Sequence, residues 1–361
     1  MDRKASTGFF YLHPGAMARS WRYTSLTETA VTGKHPAQQT TGYGFDLMHR
    51  AFTFPGQGSQ SVGMGREIHD AFPVAREVFQ EIDDTLGQKL SALCFSGPIE
   101  ELNLTENTQP ALMAVSLAVW RVIETESGKT FSDIVDFACG HSLGEYSALC
   151  AAGALSIADT ARALRIRGRA MQQAVPVGVG GMAVLLGMEF DAAQAVAAEV
   201  STAQEFVAAA NDNGGAQVVI SGHKAALERA GALALTRGAK RVMPLSVSAP
   251  FHCDLMQPAA DVMRDALDRI VIRPPSVPIV ANVTAGPVSD PEEIKGLLIR
   301  QVTGAVRWRE SVLRLKADGV HNLYEVGAGK VLTGLVKRID KDLTGATVGT
   351  PAEVEAFLKT L

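Results

Sequence analysis

Gly140-His141-Ser142-Leu143-Gly144 holds a serine between two glycines, with one residue on either side of it. The segment before it, Ile134 to Cys139, reads as an apolar strand running straight into Gly140. A helix is expected on the far side of the turn, at about Ile157 to Ala174. A strand that turns abruptly into a helix strains the backbone at the serine, and the flanking glycines let neighbouring chain approach. The hydroxyl is then exposed at a helix N-terminus, whose free N–H groups stabilise a developing negative charge. The chemistry is that of a serine nucleophile. The same five-residue pattern also occurs as a structural turn, so the strand and helix around it carry the assignment.

A serine needs a base, and the chain has 8 histidines. His13, His35 and His49 lie in or beside the N-terminal segment, and His69 sits on a polar helix face. His141 adjoins the serine; neighbours across such a turn point apart, which suits support better than deprotonation. His223 and His321 flank strands as turn or surface residues. Pro250-Phe251-His252 ends a loop and opens a helix, where a side chain can project into a cleft between domains. Taken alone, His252 is as readily a satisfied structural histidine. Cys253 beside it reads as a buried thiol.

The elements that must position these groups alternate between strands and helices. Ala51 to Phe54 is a strand ended by the turn formers Pro55 to Gln60, a helical stretch follows to about Thr85, and a second helix covers about Gln109 to Thr125. Between about 178 and 245 the order is strand, helix, strand, strand, helix, strand, the ferredoxin-like pattern. Helix Cys253 to Ile270, strand Val277 to Asn282, helices near Glu292 to Gln301 and Trp308 to Asp318, and strand Asn322 to Val326 then resume the larger unit. The expected fold is α/β: a large α/β-hydrolase-like domain (49–177 and 246–361) with a mostly parallel sheet, and an inserted ferredoxin-like small domain (178–245).

The 361 residues suffice for this, with 47% hydrophobic and 20% charged. A net charge of -4 offers no general affinity for nucleic acid or anionic membrane, and there is no apolar run of membrane-spanning length. The 4 cysteines form neither a C-x-x-C pair nor a zinc pattern with histidine, which suits a reducing compartment. No metal site is expected. Gly56 to Ser61 lacks the third glycine of a dinucleotide loop, and Gly327 to Val331 lacks the spacing of a phosphate loop. Residues 1–48 are rich in Thr, Gly and Ser and lack a secretory h-region. Two readings stand for them: a disordered extension from an upstream start, or an organelle transit peptide.

Several motifs together resemble one family. Phe54-Pro55-Gly56-Gln57-Gly58-Ser59-Gln60, Gly140 to Glu145, Arg167-Gly168-Arg169-Ala170-Met171-Gln172, Gln217 to His223, Phe251-His252-Cys253 and Tyr324 to Leu332 are similar, in this order, to malonyl-CoA:acyl carrier protein transacylases of type II fatty acid synthesis. The resemblance covers roughly Arg50 to Leu361; residues 1–48 have no counterpart. It implies Ser142 as nucleophile, His252 as general base, and the Gln301 carbonyl holding the His252 ring in place of a triad carboxylate. It further implies an oxyanion hole from the backbone N–H groups of Gln57 and Leu143, Arg167 on the malonyl carboxylate, and Asn213 near the site from the small domain. The residues alone would not choose Arg167 over Arg165 or Arg169, since arginine on a helix is usually a surface cation. Its fork of donors, though, matches a carboxylate.

The implied reaction loads malonyl from malonyl-CoA onto Ser142 and passes it to the phosphopantetheine thiol of acyl carrier protein, with no cofactor. Acyl carrier proteins are acidic, so a basic rim is expected, with Lys240 and Arg241 as candidates. The expected setting is bacterial cytoplasm, or mitochondrion or plastid should residues 1–48 be a transit peptide, and the expected state a monomer. Methylmalonyl differs by one methyl, which packing discriminates by only about 1–3 kcal/mol. The rivals are an α/β-hydrolase-type esterase or thioesterase, an acyltransferase for another acyl-CoA, and a non-catalytic scaffold. A hydrolase places its histidine near the C-terminus; here His252 has over a hundred residues after it.

Overall fold

A computed structural model describes residues 49–361 other than Ser246 and Ser248. Both readings of residues 1–48 fall outside the described residues, His49 aside.

The first strand, β1 (His49–Phe54), is buried from Ala51 to Phe54, as a strand covered on both faces must be. It pairs in parallel with β2 (Phe137–Gly140), placing Phe54 opposite Gly140. Four more strands come into play along the chain: β3 (Gly180–Leu186), β4 (Val207–Asp212), β5 (Gln217–His223) and β6 (Arg241–Pro244). They form a separate antiparallel sheet in the order β4-β5-β3-β6, with helices Phe190–Val200 and Lys224–Thr236 packed over it in their own apolar cluster.

The chain then completes the first sheet with β7 (Ile279–Val280), β8 (Pro287–Val288), β9 (Val320–Val326) and β10 (Thr344–Val348), in the order β10-β9-β1-β2-β7-β8. Every pairing there is parallel except β7 with β8. From β1 the order grows one way through β2 and the other way through β9. The carboxyl ends of β1 and β2 therefore meet beside a switch point, where open α/β sheets bind ligands. Two joints tie the sheets together: Asp212 N and Val306 N each bond across to the other segment, and Arg309 pairs with Asp212 at 2.8 Å.

Three differences from the sequence reading bear on the site. Residues 131–134 form a short helix closed by a Thr130/Asp133 capping box, so the strand expected from Ile134 starts only at Phe137. The helix expected from Cys253 begins at Gln257, with Pro258 in its first turn, and a 3-10 turn (Asp254–Met256) precedes it. His252 thus stands in the loop, at φ 58°, rather than on a helix. Directly after Ser142 runs a helix, Leu143–Ala151, in which every residue is buried. With no polar face it has no amphipathic period to read.

Candidate active site

Ser142 has φ 54° and ψ −108°, a strained conformation for a residue with a Cβ. The glycines around it make that turn possible. A Cβ on Gly140 would lie 2.0 Å from the Gly144 carbonyl, and one on Gly144 would lie 2.2 Å from Phe54 O. The Phe54 carbonyl also accepts from His141 N at 3.0 Å, so the end of β1 clamps the elbow. Gly144→Ala should therefore push the elbow off β1, costing about 2–3 kcal/mol. Thermal unfolding would check this; an unchanged midpoint would mean the close packing is dispensable.

Asn282, just beyond β7, pins the same turn. Its Oδ1 accepts from Ser142 N at 2.7 Å and its Nδ2 donates to Gly140 O at 2.7 Å. Glu145 Oε2 in turn accepts from Asn282 N at 3.0 Å.

Among the described residues the Ser142 hydroxyl oxygen has two hydrogen-bond partners, His252 Nε2 at 2.8 Å and Arg167 Nη2 at 3.1 Å. Arginine can only donate, so the hydroxyl proton points at His252 Nε2, which must be the unprotonated nitrogen. The other nitrogen, Nδ1, then carries the proton and donates to Gln301 O at 2.9 Å and Gly304 O at 3.1 Å. Two carbonyls, which only accept, hold the tautomer that a base acting on Ser142 requires. Burial, helped by the Arg167 charge, lowers the His252 pKa to about 3 against the pull of the two carbonyls. The ring is neutral at physiological pH.

Arg167 is 1% exposed and hydrogen-bonds neutral oxygens: Gln109 Oε1 at 2.8 Å, Gln301 Oε1 at 2.8 Å and the Ser142 hydroxyl. Its neighbours are engaged elsewhere, Arg165 with Asn107 and Gln88, Arg169 with Glu106. Of the three arginines that residue type left open, only Arg167 lies against the Ser142 hydroxyl. A buried guanidinium beside the serine, without a carboxylate in ion-pair range among the described residues, has the donors and the charge to hold an anion.

A cavity of about 90 Å³ opens at these groups, lined by Gln57, Gln109, His141, Ser142, Leu143, Arg167, Asn211, Phe251 and His252 among others. Leu143 opens the Leu143–Ala151 helix, where first-turn N–H groups lack intrahelical partners. The structure brings Ser142, His252, Arg167, Gln301, Gln57 and Leu143 together. Asn213 stands one layer back, its Oδ1 3.1 Å from His141 Nε2, and Asn211 reaches the cavity instead. Asn211 lies within β4 just after a register shift at Ala209/Asn211, whereas Asn213 lies beyond the strand's end at Asp212. Asn282, Gln109, Gly304 and the role of Glu145 escaped the sequence reading; a polar residue ending the apolar run Ile279 to Ala281 was the one available signal for Asn282. No group of three His, Cys, Asp or Glu that could hold a metal occurs among the described residues. No helix among them is long and apolar enough to cross a membrane.

This arrangement can activate a hydroxyl, receive an oxyanion and hold a second anion nearby. Residues 51–351 match the acyl transferase domain family. The chain is 48% identical over 308 residues to the malonyl CoA-acyl carrier protein transacylase of Salmonella typhimurium, covering 85% of this chain and 98% of that one. It is similar to the crystal structure of the acyl-carrier-protein-S-malonyltransferase from Bartonella henselae, with TM-score 0.84, 54% identity, and 87% and 99% of the two chains covered. A malonyl-transacylase solved in complex with its type II PKS acyl-carrier protein matches with TM-score 0.83 and 43% identity, covering 87% of this chain and 100% of that one.

Proposed function

Since the chain belongs to the acyl transferase domain family, we propose that it transfers malonyl from malonyl-CoA to the phosphopantetheine thiol of an acyl carrier protein, supplying fatty acid synthesis. The observation that carries the reading is Arg167, a buried cation 3.1 Å from the nucleophile oxygen, with no directly paired carboxylate among the described residues.

His252 takes the Ser142 proton as the hydroxyl oxygen attacks the thioester carbon. The negative charge on the former carbonyl oxygen is met by the backbone N–H groups of Gln57 and Leu143; losing one such donor costs about 100- to 1,000-fold in rate. Collapse expels the coenzyme A thiolate, which takes the proton from His252, and malonyl remains as an ester on Ser142. The carrier thiol then enters, gives its proton to His252 and attacks the ester, and Ser142 regains the proton as it leaves. Each half exchanges one acyl bond for another, so metal, nucleotide and redox cofactors have no task in it.

The finer fold reading goes with this function. The order β4-β5-β3-β6, with its two helices, supports a ferredoxin-like insertion at 178–245 in an α/β-hydrolase-like domain. Lys240 and Arg241, exposed at the start of β6, are proposed as part of a rim for the acidic carrier protein, and Asn213 as support for His141. A monomer in the bacterial cytoplasm is the setting we propose, in keeping with the bacterial relatives.

Incubation with malonyl-CoA should release one equivalent of coenzyme A in a burst and leave a malonyl mass on the peptide containing Ser142. Continuous release without an acceptor thiol would identify a thioesterase instead, and no adduct with any acyl-CoA a non-catalytic protein.

A further inference from the structure

We propose that Glu145 is the resting counter-charge of Arg167, linked to it through the Gln301 side-chain amide, and that it takes up a proton from solvent when a malonyl carboxylate pairs with the guanidinium. The inference rests on the malonyl reading above.

A fully buried cation needs an anion nearby, and hydrogen bonds to neutral oxygens replace only part of its lost hydration. The Gln301 amide is held at both ends. Its Oε1 accepts from Arg167 Nη2 at 2.8 Å, and its Nε2 donates to Glu145 Oε2 at 2.8 Å. An amide polarised between a cation and a carboxylate passes charge compensation from one to the other without direct contact. Glu145 is itself 2% exposed.

A malonyl carboxylate pairing directly with Arg167 would put two anions on one buried cation. The anion at one remove is the one that must yield, and protonation is its cheapest response. Burial already raises the Glu145 pKa to about 7, against its bonds to Asn282 and Gln301 and the Arg167 charge. The other groups coupled to it do not titrate there. Cys139 on β2 is raised by burial, Tyr146 on the same helix is raised to about 12, and Arg167 keeps its proton. His252, across Arg167, is lowered to about 3, and burial also lowers His141.

The sign follows. Below pH 7 Glu145 is already protonated and malonyl affinity is level. Above it, binding draws in a proton, so affinity falls as pH rises, by at most about tenfold per unit. It levels off once pH passes the higher value that Glu145 has with malonyl bound. Acetyl-CoA, lacking the second carboxylate, should show neither effect.

The test is calorimetric binding to Ser142→Ala enzyme, which cannot be loaded, at pH 8 in phosphate and in Tris. Malonyl-CoA should take up about one proton more than acetyl-CoA, the coenzyme A contribution cancelling between the donors. Adding Glu145→Gln should remove that excess and leave malonyl-CoA bound at least as tightly as in the parent at pH 8, because Arg167 then lacks a competing anion. A purely structural role would instead weaken binding at every pH. The Gln oxygen can still accept from Asn282 N and Gln301 Nε2, which favours folding. Should the variant fail to fold, equal uptake for the two donors in the parent would still overturn the idea, as would an excess that survives Glu145→Gln. If malonyl-CoA does not bind at all, the malonyl reading itself falls, and this inference with it.

Discussion

His252→Ala should slow malonyl loading of Ser142 by about ten-thousandfold or more, as loss of the base does in serine enzymes. The reason is in the hydroxyl's surroundings. Besides His252 Nε2 at 2.8 Å, its neighbour is Arg167 Nη2, a donor that cannot receive a proton. Rapid-quench measurement of the acyl-Ser142 adduct would give the rate, and a loss under tenfold would mean another group deprotonates the serine.

The same ring predicts an unusual pH profile. A histidine near its ordinary pKa would be about nine-tenths protonated one unit below it, with loading reduced about tenfold. Here the folded-state pKa is depressed to about 3, so at saturating malonyl-CoA loading should stay level as pH falls from 7.5 to 5.5. Stability, unlike loading, falls over this range. The neutral ring's contribution is complete above the ordinary value of about 6.5 and is lost as pH falls toward 3, where unfolded chains bind a proton that the folded site resists.

Arg167→Ala should lower malonyl transfer by roughly 100- to several-thousandfold relative to acetyl transfer. That range corresponds to about 3–5 kcal/mol for leaving a buried charge without its partner. Both donors lose something, since Arg167 also bonds Ser142 and Gln301. The ratio of kcat/KM for malonyl-CoA and acetyl-CoA is therefore the measurement. Equal losses for the two would remove the carboxylate role. Arg167→Lys should fall between, because it keeps the charge and loses the fork.

What could be read directly was what lies close along the chain. The elbow from Gly140 to Gly144 is five consecutive residues, and its glycines have local reasons to be there: a Cβ at either place would strike backbone two or three ångström away. Strand-helix alternation likewise follows from short-range periodicity, and it separated the 178–245 segment from the larger unit. It missed Leu143–Ala151, because a helix buried on all sides carries no amphipathic signal. Arg167, Gln109, Gln301 and Asn282 come from distant parts of the chain, and apart from the apolar run before Asn282 nothing beside them in sequence marks them as polar and buried. Only the packed sheet and helices join them, with Glu145, into one hydrogen-bonded network that reaches Ser142. Residue type alone allows Arg165, Arg167 or Arg169 to receive an anion. Tertiary structure separates them: Arg165, also buried, is engaged by Asn107 and Gln88, Arg169 pairs with Glu106 at the surface, and Arg167 alone is buried against the Ser142 hydroxyl.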